Sequence, residues 1–265
     1  MNVCVVIPIY KEKPTDWEIA SFRQVLKVLS RYDIFLYTYQ GLDLSIYTNE
    51  STNLNKNFNV EYFDQDFFSS VKGYNRLCLT VDFYKRVSKY EYMLIYQLDA
   101  WVFRDELEYW CNKGYDYIGA PFMPPWGEQK WLVGNGGFSL RRIDSHIRLL
   151  SYKYPLSFCL DFKHGARGLV KSIIKSFGFC NTISYYANRK DKKFNEDWLL
   201  SNIFSDISKK NVFQLHKPTV DEAITFSIEC SPSYFYGISG NKLPFGCHAF
   251  EKYEFETFWK KHIII

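Results

Sequence analysis

The chain has 265 residues, of which 47% are apolar and 19% aromatic, with 21 Tyr and 23 Phe. That length suits one large α/β domain or two small ones, and the aromatic share excludes a disordered or coiled-coil chain. A net charge of +4 and a pI of about 8.5 suit an anionic ligand such as a phosphate, and fall far short of a protein that coats nucleic acid.

The seven cysteines (Cys4, Cys78, Cys111, Cys159, Cys180, Cys230 and Cys247) contain no CxxC pair and are odd in number. This speaks against a disulfide framework or a structural zinc site and fits a reducing cytosol. The opening MNVCVVIPIY lacks the basic start and small-residue cleavage site of a secretory signal. No run of about 18 apolar residues is present to span a membrane.

The β-branched run VCVVIPIY predicts a strand buried on both faces. DWEIASFRQVLKVLSRY follows, with Ile19, Phe22, Val25, Leu26 and Leu29 on one helical face and Asp16 as expected N-cap. DIFLYTYQ, the short SIYTN segment and FNVEYFD all read as strands. GYNRLCLTVDFYKRVSKY predicts a second helix, with Leu77, Val81, Tyr84 and Val87 on one face, leading into the strand EYMLIYQLD. This alternation predicts an α/β domain with a mostly parallel central sheet flanked by helices, its ligands gathered beyond the carboxyl ends of the strands. The IYKE turn and Asp99 should both lie there.

From residue 119 the pattern changes. GAPFMPPWGEQKW is a Pro/Trp-rich loop, GNGGFSLRR a glycine-rich turn ahead of an amphipathic strand, and DSHIRLLSYKY a helix. Residues 157–193 are irregular and basic, FNEDWLLSNIFSDI opens on an acidic turn and runs on as a helix, and the tail carries TVDEAITFSIECSP and LPFGCHAFEKY. No linker separates two domains. The second half is expected to complete the sheet and wall one cleft.

Three short stretches carry the chemistry. Asp99 in YQLDAWVF is a carboxylate at a strand end, placed either to ligate a divalent cation or to cap the turn and pair with Arg104. GNGG puts three glycines in four residues, which permits positive φ and close backbone approach to a ligand, or simply makes a tight turn. No GxxxxGK[ST] stretch exists, so P-loop chemistry is excluded. NEDW sets Glu196 and Asp197 at a helix start, where they complement the dipole and where one can serve as a general base.

Taken in order, QLDAW, GNGGFSLR and NEDW resemble the DxD strand end, glycine-rich donor segment and acidic base motif of GT-A glycosyltransferases. With GYNRL, EAITFSIE and PFGCHAFEKY they resemble, over nearly the whole chain, a little-characterised family of bacterial and fungal GT-A-like domains. The resemblance implies a single domain over 1–265, with 1–105 binding a nucleotide-sugar donor (a UDP-sugar favoured) and 106–265 serving acceptor and catalysis. It implies Mn2+ or Mg2+ on the diphosphate, held by Asp99 and His248. Gln97 stands where the first DxD acid would be, which bears on metal dependence.

By the same resemblance Asp197 is the base and Glu196 its runner-up, with inversion at the sugar. Pro8, Tyr10, Lys11, Lys72, Asn75, Leu98, Asp99, Ala100, Asn135, Gly136 and Gly137 are the donor-binding set. Trp126 and Trp198 are expected to stack on sugars, with Trp131 a further choice. His248 has the alternative of a packed core residue. The acceptor is expected to be a glycan or lipid-linked sugar in surface-polysaccharide synthesis. The basic stretch 163–175 (Lys163, Arg167, Lys171, Lys175) suits either a solvated helix or the inner face of a membrane. The competing expectations are a degenerate sugar-binding domain that has lost catalysis and a nucleotidyltransferase.

Overall fold

The computed structural model describes residues 2–123, 130–151, 165–166, 195–203 and 214–265. Trp126 and the basic stretch 163–175, apart from Gly165 and Ala166, lie outside the described residues. Strands β1 (Val3–Pro8), β2 (Asp33–Tyr39), β3 (Asn59–Phe63), β4 (Tyr92–Tyr96), β6 (Tyr117–Gly119) and β9 (Phe138–Arg142) form a six-stranded sheet in the order β3-β2-β1-β4-β9-β6. β1 runs parallel to β2 and β4, and β2 to β3, while β9 runs antiparallel to both β4 and β6. The sheet is thus mixed but mostly parallel, flanked by helices, as expected of the sequence. Two smaller sheets are built from β5 (Trp101–Val102), β10 (Ser227–Ile228) and β11 (Gly246–Cys247), and from β7 (Pro121–Phe122) and β8 (Leu132–Val133).

β1 and β4 are buried throughout, because helices cover both faces of the sheet. One face receives α1 (Asp16–Val28) through Phe22, Val25 and Leu26, and α5 (Leu107–Asn112) through Leu107 and Trp110. The other receives α3 (Val71–Cys78), α4 (Val81–Lys85) and α6 (Ile143–Ser151) through Leu77, Phe83, Tyr84 and Leu149. A third core joins Trp101, Ile228, Phe235, Cys247, Phe250 and Trp259 behind the small sheet of β10 and β11.

Several local expectations are corrected. α1 is capped by Thr15, not Asp16: the Glu18 amide donates to the Thr15 hydroxyl and the Thr15 amide to the Glu18 carboxylate, a reciprocal box that needs three-residue spacing. SIYTN begins a helix, α2 (Ser45–Asn53), started by the Ser45 amide donating to the Asp43 carboxylate, with Tyr47 and Ser51 turned inward four residues apart. The second predicted helix is broken into α3 and α4 by Thr80, whose hydroxyl donates to the Leu77 carbonyl and accepts from the Phe83 amide. β9 is buried from Phe138 to Arg141 rather than amphipathic, because it is inserted between β4 and β6. NEDW makes one α-turn, α7 (Glu196–Trp198), then widens into a π-helix over Leu199–Ile203.

Candidate active site

Because β1 and β4 are parallel, their carboxyl ends open on the same side, which brings the Tyr10–Lys11 turn and Asp99 together. Beyond β4 the chain makes a tight turn, the Ala100 amide donating to the Gln97 carbonyl at 2.9 Å. The Gln97 amide donates to the Gly137 carbonyl at 2.8 Å, so the strand end and the glycine loop are one hydrogen-bonded unit. Asn135 closes that loop from within: its side-chain oxygen accepts from the Gly137 amide at 3.0 Å.

The glycines divide between the two expected uses, positive φ and close approach, the latter to side chains. Of the three, only Gly134 is left-handed, at φ 112°. Gly136 and Gly137 are required for want of space: a Cβ at 136 would run into the Glu196 carboxylate, and one at 137 into the His248 ring. The loop is therefore a wedge between two charged groups.

His248 arrives from the opposite end of the sequence. β10 and β11 pair in parallel with Ile228 against Cys247, and the His248 amide donates to the Ile228 carbonyl at 3.0 Å. Glu229 and His248 consequently leave the strand pair side by side. Ala249, left-handed at φ 49°, turns the chain, and the Phe250 amide donates back to the Asp99 carbonyl. His248 Nε2 then stands 3.1 Å from Asp99 Oδ1 and 3.3 Å from Gln97 Oε1, while Nδ1 is 3.3 Å from Glu229 Oε1. Burial opposes charge on this ring, but Asp99 and Glu229 outweigh it and push its pKa up to about 10. Burial likewise opposes ionisation of Asp99, and the His248 charge and hydrogen bond reverse that and lower its pKa. Arg104 does not join this group; it binds Glu106 and the carbonyls of Leu243 and Pro244.

Among the described residues no group of three or more His, Cys, Asp or Glu is placed to hold a metal ion. The donors gathered here are two of those types, Asp99 and His248, and the third is an amide oxygen, that of Gln97. Bonds of about 2.1 Å to one octahedral ion set neighbouring donors about 3.0 Å apart, close to the spacings of Nε2 from these two oxygens. Hard oxygens with one imidazole suit magnesium or manganese, so the residues present fit such an ion.

The two NEDW acids diverge. Glu196 is buried and its Oε1 accepts from Arg141 Nη2 at 2.7 Å. Arg141, fully buried on β9, also donates to Ser139 Oγ and Tyr84 Oη and lies over the Tyr117 ring. Asp197 instead lines a cleft of about 290 Å³ with Phe122, Asn135, Trp198, Glu229 and Tyr253. Burial first, then the Glu196 charge, pushes its pKa up to about 8, while its Oδ1 accepts from the Trp198 amide.

Other predicted residues hold the frame. The Asn75 amide group donates to Asn195 and accepts from the Glu196 amide, fixing the start of α7. Lys11 pairs with Glu18 at 2.7 Å beside the exposed Tyr10. Pro8 and Leu98 are buried, as is Ala100, whose carbonyl accepts from Ser21 and Tyr96. Lys72 is exposed on α3, and Trp131 packs edge-on against Phe235 in the third core. Two residues escaped the sequence reading. Glu229 sat within a recognised stretch without a role, and Lys217, its pKa lowered to about 7 by burial, donates to the carbonyls of Val133 and Ser201, tying β8 to the π-helix.

The strand order and the site's place at the carboxyl ends define the GT-A glycosyltransferase fold. Residues 57–248 match the family described as protein of unknown function (DUF5672), and the chain belongs to that family. No curated protein matches it in sequence. Among solved structures, the galactosyltransferase LgtC in complex with donor and acceptor sugar analogs aligns with a TM-score of 0.50 at 11% identity, over 92% of this chain and 86% of that one. Mouse xyloside xylosyltransferase 1 in its apo form aligns at 0.49 and 12% identity, over 94% and 97%. The Mn/GDP form of core-mannan synthase A from Aspergillus fumigatus aligns at 0.45 and 8%, over 76% and 68%.

Proposed function

We propose that this chain transfers a sugar from a nucleotide-sugar donor to a glycan or lipid-linked acceptor. One observation carries the reading: at the carboxyl ends of β1 and β4, a cation-fitting set of Asp99, Gln97 and His248 adjoins, through Glu229, a cleft lined by the carboxylate of Asp197, which makes no ion pair among the described residues. Asp99, Gln97 and His248 would hold magnesium or manganese, which when bound neutralises charge developing on a departing diphosphate. Asp197 takes the proton from the attacking acceptor hydroxyl, and a base with a pKa near 8 is matched to that task at mildly alkaline pH. Trp198, on the wall beside it, offers an apolar face to a sugar ring. A single base on one side of the sugar is the arrangement of a direct displacement with inversion.

In this reading 1–105 and 106–265 share one domain as donor and acceptor halves, and the donor is a UDP-sugar. The reaction belongs to surface-polysaccharide synthesis in the cytoplasm, at the inner face of a membrane that the 163–175 stretch contacts. No helix among the described residues is long and apolar enough to cross a bilayer. Liposome co-sedimentation at low salt tests the contact. The central test is a thermal-shift panel of UDP-, GDP-, CMP- and dTDP-sugars with manganese or with EDTA. One strong manganese-dependent hit is the expected result; silence across the panel would favour a fold retained without catalysis.

A further inference from the structure

The charge at the cation-fitting set is lower than two strand-end acids would make it, because Gln97 is neutral. A carboxylate of the same sign stands one ring away. Glu229, its side chain only 14% exposed, brings Oε1 to 3.3 Å from His248 Nδ1, a buried nitrogen that makes no well-directed hydrogen bond among the described residues, while Nε2 faces Asp99 and Gln97. The contact is built into the backbone. The Ile228–Cys247 register delivers Glu229 and His248 from adjacent strands, the His248 amide is bound to Ile228, and the bare Cα of Gly137 closes on the ring.

We propose that Glu229 is a positioning residue that holds the proton of His248 on Nδ1, so that the Nε2 lone pair faces the cation, and restores through the ring the negative charge that Gln97 leaves out. An imidazole has two nitrogens, and a carboxylate on one fixes which of them carries hydrogen. The same carboxylate raises the donor strength of the other nitrogen. This inference rests on the reading that a divalent cation sits at Asp99, Gln97 and His248. It assigns Glu229 no contact with the ion.

The test uses the whole chain with manganese alone as probe, free Mn2+ being followed by its EPR signal. Wild type, Glu229→Gln, Glu229→Asp and the double variant Gln97→Glu/Glu229→Gln are titrated, with near-UV circular dichroism to show that each is folded. Glu229→Gln should bind Mn2+ about 10–100-fold more weakly than wild type. Glu229→Asp should fall between the two. The double variant, which moves the charge from the outer to the inner position, should recover most of the loss. Unchanged Mn2+ affinity in Glu229→Gln, or a loss that Gln97→Glu does not relieve, overturns the proposal. If wild type itself binds no Mn2+, the cation reading falls, and this proposal with it.

Discussion

On one side of the glycine loop, Arg141 and Glu196 form a closed pair: both are buried, and the guanidinium also donates to Ser139, Tyr84 and the Gly136 carbonyl. On the other side, His248 sits between Asp99 and Glu229, and the Asp99 side chain keeps 35% of its surface. Both are opposite charges packed against a bare glycine. They differ in saturation. The Arg141 pair is shut away from solvent, so its contribution is to hold α7 against β9. The His248 group keeps the Asp99 carboxylate partly open to solvent, so it can still bind.

The contrast can be broken by substitutions on each side. The largest effect should come from Asp197→Asn, which removes the base while leaving the closed pair intact. Turnover should fall about 10²–10⁴-fold in a transfer assay, with donor affinity unchanged by calorimetry. Next, Glu196→Gln leaves Arg141 buried with its charge uncompensated, and should cost about 3–5 kcal/mol in denaturant unfolding. Asp99→Asn, by contrast, should abolish manganese binding and cost less in unfolding than Glu196→Gln, because His248 can release its proton where Arg141 cannot.

The glycines sharpen the same division. Gly137→Ala should displace His248 and weaken manganese binding at least about tenfold, whereas Gly136→Ala should mainly lower the melting temperature, by pushing Glu196 from Arg141. Asp197 also sets a pH dependence. Asp197 must be ionised to act, and its pKa is raised, so kcat/KM should rise about tenfold per unit up to about pH 8 and then level. The sign for stability is the reverse. The folded chain keeps this proton where the unfolded chain releases it, so stability falls as pH climbs from about 4 to about 8. Asp197→Asn should flatten that slope in melts taken across the range.

Much of the frame was legible because it is local. The unbroken apolar runs of β1 and β4 announce strands covered on both faces, and the glycine cluster marks a close approach. Asp99 was legible because a carboxylate inside such a run needs a partner. Glu229 was not, since its link to His248 depends on a two-residue parallel pairing between β10 and β11 that carries almost no pattern of its own. Gln97 read as a missing acid, and only the fold shows its amide oxygen facing an imidazole 151 positions away. SIYTN was misread because a β-branched tyrosine-containing segment resembles a strand until Asp43 is seen to start a helix.

The place of β9 has a consequence for how the chain assembles. β6 precedes β9 in sequence, yet among the described residues it pairs in the main sheet with β9 alone, so β6 joins that sheet only through β9. Strands β1 to β4 can pair from residues 3–96 alone, whereas the glycine loop waits for residues up to 142 and His248 for nearly the last of the chain. The half with the strand ends is thus expected to form early and the catalytic furniture late, since distant contacts carry the larger closure cost. Pulsed hydrogen exchange during refolding should show amides of Val3–Pro8 protected before those of Phe138–Arg142. Simultaneous protection would mean the sheet condenses as one unit.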